Sequence, residues 1–250
     1  MSSIQERAKY ILNTFKIDVQ QFEKPIENIA SYLDHTQLAS DATPEIIKKL
    51  CQEALKYKFA SVCVNGCYAD LAVEQLKGSD VKTCCVIGFP LGSMTTAAKV
   101  FETKDLIARG VQEIDMVINM GWMKAGMYRE VFEEIQQIAN VCHEQHRVLK
   151  VIIEATCLEQ EQLIIDACIL SQSASADFVK TSTGTHKNGG AKVEHVKLMR
   201  EVVGKSCGVK AAGGVRSAED CVMMIKAGAS RIGTSGGVKI AEGAMHEGGY

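Results

Sequence analysis

The sequence predicts an α/β fold, a single-domain (β/α)8 barrel of the TIM type with an extra N-terminal helix. Three observations predict it. Short β-branched, apolar runs alternate with longer amphipathic stretches eight times in succession, the signature of a parallel sheet. The eight units fit within about 220 residues, a length suited to a closed eight-stranded barrel. The competing open, doubly wound sheet lacks its fingerprint, since no GxGxxG follows the first strand and no P-loop is present.

The elements follow in order. "MSSIQERAKYILNTF" spaces Ile4, Ala8, Ile11, Leu12 and Phe15 as one helical stripe, and residues 1–26 form a helical extension expected to cap the barrel's bottom. The strand segments are "NIASYLDHT", "FASVCVN", "VKTCCVIGF", "QEIDMVIN", "RVLKVIIEA", "ADFVKTS", "CGVKAAG" and "ASRIGTS". Helices are predicted over 44–57, 95–109, 128–143, 159–171, 192–203 and 218–227. Thr43-Pro44 reads as an N-cap with proline in the first turn, and Ser217 with Asp220 resembles a capping box. Gly110 and Gly228 stand where left-handed C-caps belong. Residues 244–250 are left as a C-terminal tail.

Composition narrows the function. Of 250 residues, 46% are hydrophobic and 23% charged, so the chain can bury a large core. The net charge of -2 provides no basic field for nucleic acid or an anionic membrane, and no segment is long enough to span a bilayer. The ten cysteines lie mostly in apolar runs without paired CxxC motifs, and read as reduced core residues of a cytoplasmic protein. The six histidines do not converge: "HEQH" has the wrong spacing for HExxH, and His35 alternates outward from Asp34. Neither a metal nor a cofactor is expected.

Barrel active sites gather at the C-terminal ends of the strands. Those ends carry Asp34 and Thr36, Cys63 and Asn65, Phe89, Asp115 and Asn119, Glu154, Lys180, Lys210, and Gly233 with Ser235. A lysine amine attacks a carbonyl only when neutral, and at its ordinary pKa roughly one in two thousand is neutral at pH 7. Burial and a neighbouring cation both favour the neutral form, and Lys180 and Lys210 end adjacent strands. Asp115 shares the lumen, with Ile114 and Met116 facing the helices; it is either a proton shuttle or a structural ion-pair partner. Lys150 and Glu154 share parity on strand five and are expected to pair with each other. "AAGGVR" and "GTSGG" place Gly213, Gly214, Gly236 and Gly237 where such barrels bind phosphate, with Ser235 and Arg216 as further donors.

Taken together, "DHTQL", "VCVN", "VIGFPLG", "EIDMVINMG", "KVIIEA", "DFVKTSTG", "VKAAGGVR" and "RIGTSGG" resemble the 2-deoxyribose-5-phosphate aldolase family, from about Ile29 to Glu242. The resemblance implies a class I aldolase of deoxyribonucleoside catabolism. It would cleave 2-deoxy-D-ribose 5-phosphate reversibly to acetaldehyde and D-glyceraldehyde 3-phosphate. By motif, Lys180 is then the Schiff-base lysine, Lys210 favours its neutral form and Asp115 transfers protons. Asp34 stands in the charge network around Lys210, and Cys63 lines the acetaldehyde pocket. Thr183, Gly184, Gly213, Gly214, Gly233, Ser235 and Gly236 contact substrate or its phosphate. Tyr250 invites a role in proton transfer at the acetaldehyde methyl carbon, as in some members. The chain departs from some members in having glycine at 236 rather than a second serine, and threonine at 185. The expected partners are a small-molecule phosphosugar and aldehydes, with no nucleic acid and no membrane. The expected assembly is a homo-oligomer, dimer or tetramer. Two other readings stay open: a phosphosugar isomerase using Asp34 and Asp115 as acid and base, and a catalytically silent phosphometabolite-binding protein.

Overall fold

A computed structural model describes residues 2–14, 26, 28–187 and 189–243. Eight parallel strands close into a barrel in sequence order: β1 (Leu33–Gln37), β2 (Ser61–Val64), β3 (Lys82–Ile87), β4 (Glu113–Val117), β5 (Val148–Ile152), β6 (Phe178–Lys180), β7 (Gly208–Ala212) and β8 (Arg231–Thr234). β8 returns to β1 through the pairs Leu33 with Ile232, Asp34 with Gly233 and His35 with Thr234, leaving no open edge. Seven strands lie within their sequence-predicted segments, and β1 runs one residue past its own, to Gln37. "NIASY" instead forms a 3-10 turn, Ile29–Tyr32, before β1 begins.

The helices are α1 (Ser2–Thr14), α2 (Pro44–Tyr57), α3 (Ala69–Gln75), α4 (Thr96–Ala108), α5 (Met120–Lys124), α6 (Tyr128–Glu144), α7 (Ala155–Leu158), α8 (Glu161–Ser173), α9 (Val193–Val203), α10 (Ala218–Lys226) and α11 (Gly237–Ala241). Their ends follow local chemistry. Ser217 and Asp220 close a full capping box on α10. Gly110 and Gly228, at φ 96° and 110°, take the left-handed positions after α4 and α10. Thr43 is extended before Pro44, but its side chain makes no capping hydrogen bond to the backbone, so the start rests on the proline and on Glu45 in the first turn. The short helices α3, α5 and α7 escaped the sequence reading.

Strand alternation divides the interior in two. Val62, Ile114, Met116, Leu149, Val151, Val179, Val209 and Ile232 pack outward into one large apolar cluster with the helices. A smaller cluster of Leu38, Cys63, Cys84 and Val86, with Phe89 against it, stands apart from the first. α1 buries Ala8 and Ile11, and Arg7 donates to Gln172 Oε1 and the Val202 carbonyl near the ends of α8 and α9. It therefore docks at the bottom edge of the barrel. Eight cysteines are buried, Cys157 is half-buried and Cys67, just past β2, is exposed.

One ion pair lies entirely within the helical layer. Lys99 on α4 donates to Glu134 Oε2 on α6 and to the Val117 carbonyl ending β4, both at 2.8 Å, and neither side chain is exposed. The Lys99 stem also covers Gly88, where a Cβ would lie 2.9 Å from Lys99 Cε, and Glu102 accepts from the Gly88 N–H. This clamp fixes the loop after β3 and the end of β4. Burial holds Lys99 below and Glu134 above their ordinary values despite the pairing, so desolvation outweighs attraction here. Lys99→Met should therefore lower stability by about 3–5 kcal/mol, by leaving Glu134 buried without its cation. Lys99→Met with Glu134→Leu should restore most of that loss. Urea denaturation midpoints at a constant slope check both, and a double variant no better than the single one would contradict the account.

Candidate active site

The lumen holds a layer of charge. Asp115 on β4 accepts at Oδ2 from Lys180 Nζ at 2.8 Å and from Lys210 Nζ at 2.7 Å. Its Oδ1 accepts from Lys150 Nζ at 2.7 Å and from the Cys84 thiol at 3.2 Å. Lys210 also pairs with Asp34, and Lys150 with Glu113 at 2.7 Å. Arg231 closes the ring from β8, reaching Asp34 at 2.6 Å and Glu113 through two bonds of 3.1 Å. Four cations thus face three carboxylates.

Strand register explains the meeting. Lys180 pairs across strands with Lys210, and Lys210 with Arg231, so the three cations follow one another around the barrel wall. Lys150 pairs with Phe178, one pleat below Lys180. Phe178 fills the floor against Gly208, where any Cβ would strike its ring at 2.2 Å. Lys180 keeps 2% of its side-chain surface, while Lys150 and Lys210 keep none. Of the three lysines, only Lys180 meets the open mouth.

The charges set one another's protonation. Burial works against the Asp115 carboxylate, but Lys150, Lys180 and Lys210 together hold it well below the usual range. Asp34 is likewise held low against burial, by Lys210, Arg231 and Lys150. Burial would discharge Lys210, yet Asp115 and Asp34 outweigh it and push the ammonium above its ordinary value. Lys150 is raised in the same way. Lys210 is therefore locked as a cation beside Lys180, their nitrogens no further apart than about two hydrogen-bond lengths.

The expected pairing of Lys150 with Glu154 is corrected. Parity carries a side chain to one face only while the strand lasts, and β5 stops at Ile152. Glu154 turns left-handed at φ 46° and accepts at Oε2 from the Thr183 N–H and hydroxyl. Its other oxygen, Oε1, is buried without a partner among the described residues. Glu113 and Arg231 begin their strands, away from the C-terminal ends where barrel sites gather, so only their parity with Asp115 and Gly233 marks them in the sequence.

The other expected residues lie around this layer. Cys63 is buried beside Cys84, whose hydrogen bond lowers the Cys63 thiol, while burial raises Cys84. Ligand atoms of Cys63, Cys84 and Asp115 lie within 4.8 Å of one another, but three ammonium groups already occupy Asp115, and their charge repels a metal cation. His35 faces outward as expected, buried on Glu53 at 2.7 Å. Gly184, Gly213 and Gly214 are left-handed at φ 87°, 82° and 78°, which requires glycine. The N–H groups of Gly214 and Val215 bond to none of the described residues. The Gly236 N–H, proposed for phosphate, donates to Thr234 Oγ1 instead. Gly237 is glycine for packing, since a Cβ would lie 2.8 Å from His35 Nδ1. Gly233 is buried at the end of β8, and Ser235 is half-buried just beyond it. Lys187 is exposed, and Tyr250 lies outside the described residues.

Comparison with known proteins accords with this geometry. The model for the DeoC/LacD family aldolases matches residues 28–241. Deoxyribose-phosphate aldolase from Caldanaerobacter subterraneus subsp. tengcongensis is 51% identical, over 88% of this chain and 95% of its own length. The enzyme of that name from Clostridium tetani is 53% identical, over 86% and 98%. Among solved structures, the tetrameric deoxyribose phosphate aldolase from Aeropyrum pernix superposes with a TM-score of 0.80 at 30% identity, covering 96% of both chains. Similarity of this extent, carried along nearly the whole barrel, means that the chain belongs to the DeoC/LacD aldolase family.

Proposed function

We propose that the chain cleaves 2-deoxy-D-ribose 5-phosphate reversibly to acetaldehyde and D-glyceraldehyde 3-phosphate through a Schiff base on Lys180. One observation carries the assignment of the nucleophile: Lys180 alone reaches the mouth while sharing Asp115 Oδ2 with the locked cation Lys210. The Lys180 amine adds to the C1 aldehyde of the open-chain sugar, and the carbinolamine loses water to give an iminium. The C3 hydroxyl then gives up its proton, the C2–C3 bond breaks, and its electrons flow into the enamine. Glyceraldehyde 3-phosphate leaves. Protonation of C2 and hydrolysis release acetaldehyde and the amine.

Asp115 suits the proton relay. With three ammonium groups on it, it is a weak base, but conversion of Lys180 to a neutral carbinolamine removes one of them. Its basicity is therefore highest at the carbinolamine, where the proton it takes from the attacking amine can pass to the departing hydroxyl before the iminium restores the charge on Lys180. Cys63 and the apolar Leu38, Val86 and Phe89 offer a lining suited to a two-carbon aldehyde. The N–H groups of Gly214 and Val215, which bond to none of the described residues, support phosphate binding between the loops after β7 and β8, with Thr183, Gly184, Gly213, Gly233, Ser235 and Gly236 around it. An isomerase would have no use for this lysine pair. No described helix is long and apolar enough to cross a membrane. The tetrameric Aeropyrum pernix structure supports a homo-oligomer, dimer or tetramer, for this chain.

Borohydride reduction in the presence of acetaldehyde should add a two-carbon adduct to Lys180, located by peptide mass mapping. Lys180→Arg should abolish turnover, since a guanidinium stays protonated and forms no imine. Labelling at Lys210 instead would overturn the assignment.

The acid limb of the activity profile tests the Asp115 network. Lys150 is the largest lowering influence on Asp115, so Lys150→Met should let that carboxyl rise toward its ordinary range. A carboxylate held low stays ionised as pH falls, and one released protonates sooner, so the acid limb should move to higher pH. A limb in the wild-type position, with circular dichroism confirming the fold, would remove Asp115 from the relay. For the phosphate site, Ser235→Asp should cost turnover of the phosphorylated sugar much more than that of free 2-deoxyribose. Equal losses would place the phosphate elsewhere.

A further inference from the structure

Contacts between neighbouring loops run along one arc of the mouth. Glu154 after β5 holds Thr183 after β6, and the Ala191 N–H donates at 2.8 Å to the Gly213 carbonyl after β7. Thr234, at the end of β8, makes the next link. Its hydroxyl donates to the Val215 carbonyl at 2.9 Å and accepts from the Gly236 N–H at 3.0 Å. We propose that Thr234 is a positioning residue for phosphate recognition, setting the spacing between the two glycine-rich loops that would hold the phosphate. This rests on the reading of those loops given above.

The hydroxyl's single proton is committed to Val215, and Gly236 takes a lone pair. Thr234 is only 3% exposed, so it acts through the loops rather than by touching substrate. On one side of the bond stand the left-handed Gly213 and Gly214 and the N–H groups of Gly214 and Val215, which no described residue engages. On the other stands the turn Ser235–Gly236. That turn is braced from behind, where Gly237 lies against His35 Nδ1 and the Phe59 ring too closely to admit a side chain. His35 is itself held by Glu53 and packed edge-on against Phe59. The β8 turn thus has a fixed back, and the Thr234 hydroxyl ties the β7 loop to it. Without the hydroxyl, the buried Val215 carbonyl and Gly236 N–H lose their partner and the loops must shift to find others. A phosphate gripped by donors on both loops needs all of them within about 2.7–3.0 Å at once, so a small change in spacing weakens the whole set.

The test compares Thr234→Val, which keeps the shape and removes both bonds, with Thr234→Ser, which keeps the hydroxyl. Valine should raise KM for 2-deoxyribose 5-phosphate about tenfold, with kcat within about twofold of wild type. It should change kcat/KM for unphosphorylated 2-deoxyribose by less than about twofold, and serine should restore the phosphorylated KM. Inhibition of the unphosphorylated reaction by inorganic phosphate should weaken in parallel. Thr234→Ala supplies the same comparison should valine crowd the turn, with circular dichroism confirming the fold. Equal losses on both sugars, or no loss on either, overturn the proposal. If Ser235→Asp remains selective while Thr234→Val does not, the link alone is refuted. If Ser235→Asp is also unselective, the location of the phosphate fails and the link with it.

Discussion

Everything at the mouth depends on one carboxylate accepting hydrogen bonds from three lysines. Asp115 is fully buried, and a lone carboxylate there would take up a proton or unfold the barrel. Its cations come from three consecutive strands, β5, β6 and β7, so the interaction exists only once those strands are in register. The same cations would repel one another without Asp115, Asp34 and Glu113 between them. Fold and the proposed reactivity are therefore one electrostatic problem: the barrel brings the charges together, and only Lys180 among the three lysines keeps any exposed surface at the mouth.

The layer has a surplus of one positive charge when all four cations are protonated. Three of them are bound tightly enough to keep their protons: Lys150 and Lys210 are raised above ordinary lysine values, and Arg231 is a guanidinium held by two carboxylates. Loss of the Lys180 proton leaves the layer neutral. In the proposed mechanism the iminium would restore the surplus and the enamine remove it again, so each charge change along the reaction would fall on the same side chain. Apart from the relay proposed for Asp115, the surrounding groups keep their protons, which suits a buried site where reorganisation is slow and costly.

Most of this arrangement was legible in the sequence, and the exceptions have physical causes. Most strands announced themselves because parallel strands buried on both faces are apolar runs, although β1, LDHTQ, is largely polar and lay at the end of its apolar segment; α2 was bounded correctly at Pro44 and Tyr57, and Lys58 at φ 55° is what ends it. α3, α5 and α7 were missed because four to seven residues make about two helical turns at most, too few for a periodic pattern to stand out. Asp34, Asp115, Lys180 and Lys210 came together as expected, since parity and strand order suffice to aim a side chain into a lumen. Lys150 was given the wrong partner because parity fails at a left-handed residue, and nothing in "VIIEA" marks Glu154 as one. Thr234 could not have been singled out, because the value of a hydroxyl lies in the carbonyl and N–H that surround it, and both come from folded loops.

The distribution of thiols has a use of its own. Of the ten cysteines, Cys67 alone is exposed, in the short turn that follows β2, two residues past Asn65 at the rim. The buried ones are shielded by packing, and burial pushes the thiols of Cys51, Cys142, Cys207 and Cys221 up to about 11 or 12, where little nucleophilic thiolate forms at neutral pH. The native chain thus offers a preferred attachment point for a maleimide dye, with half-buried Cys157 its nearest competitor. A fluorophore placed there would sit beside the mouth and watch substrate arrive without an engineered cysteine.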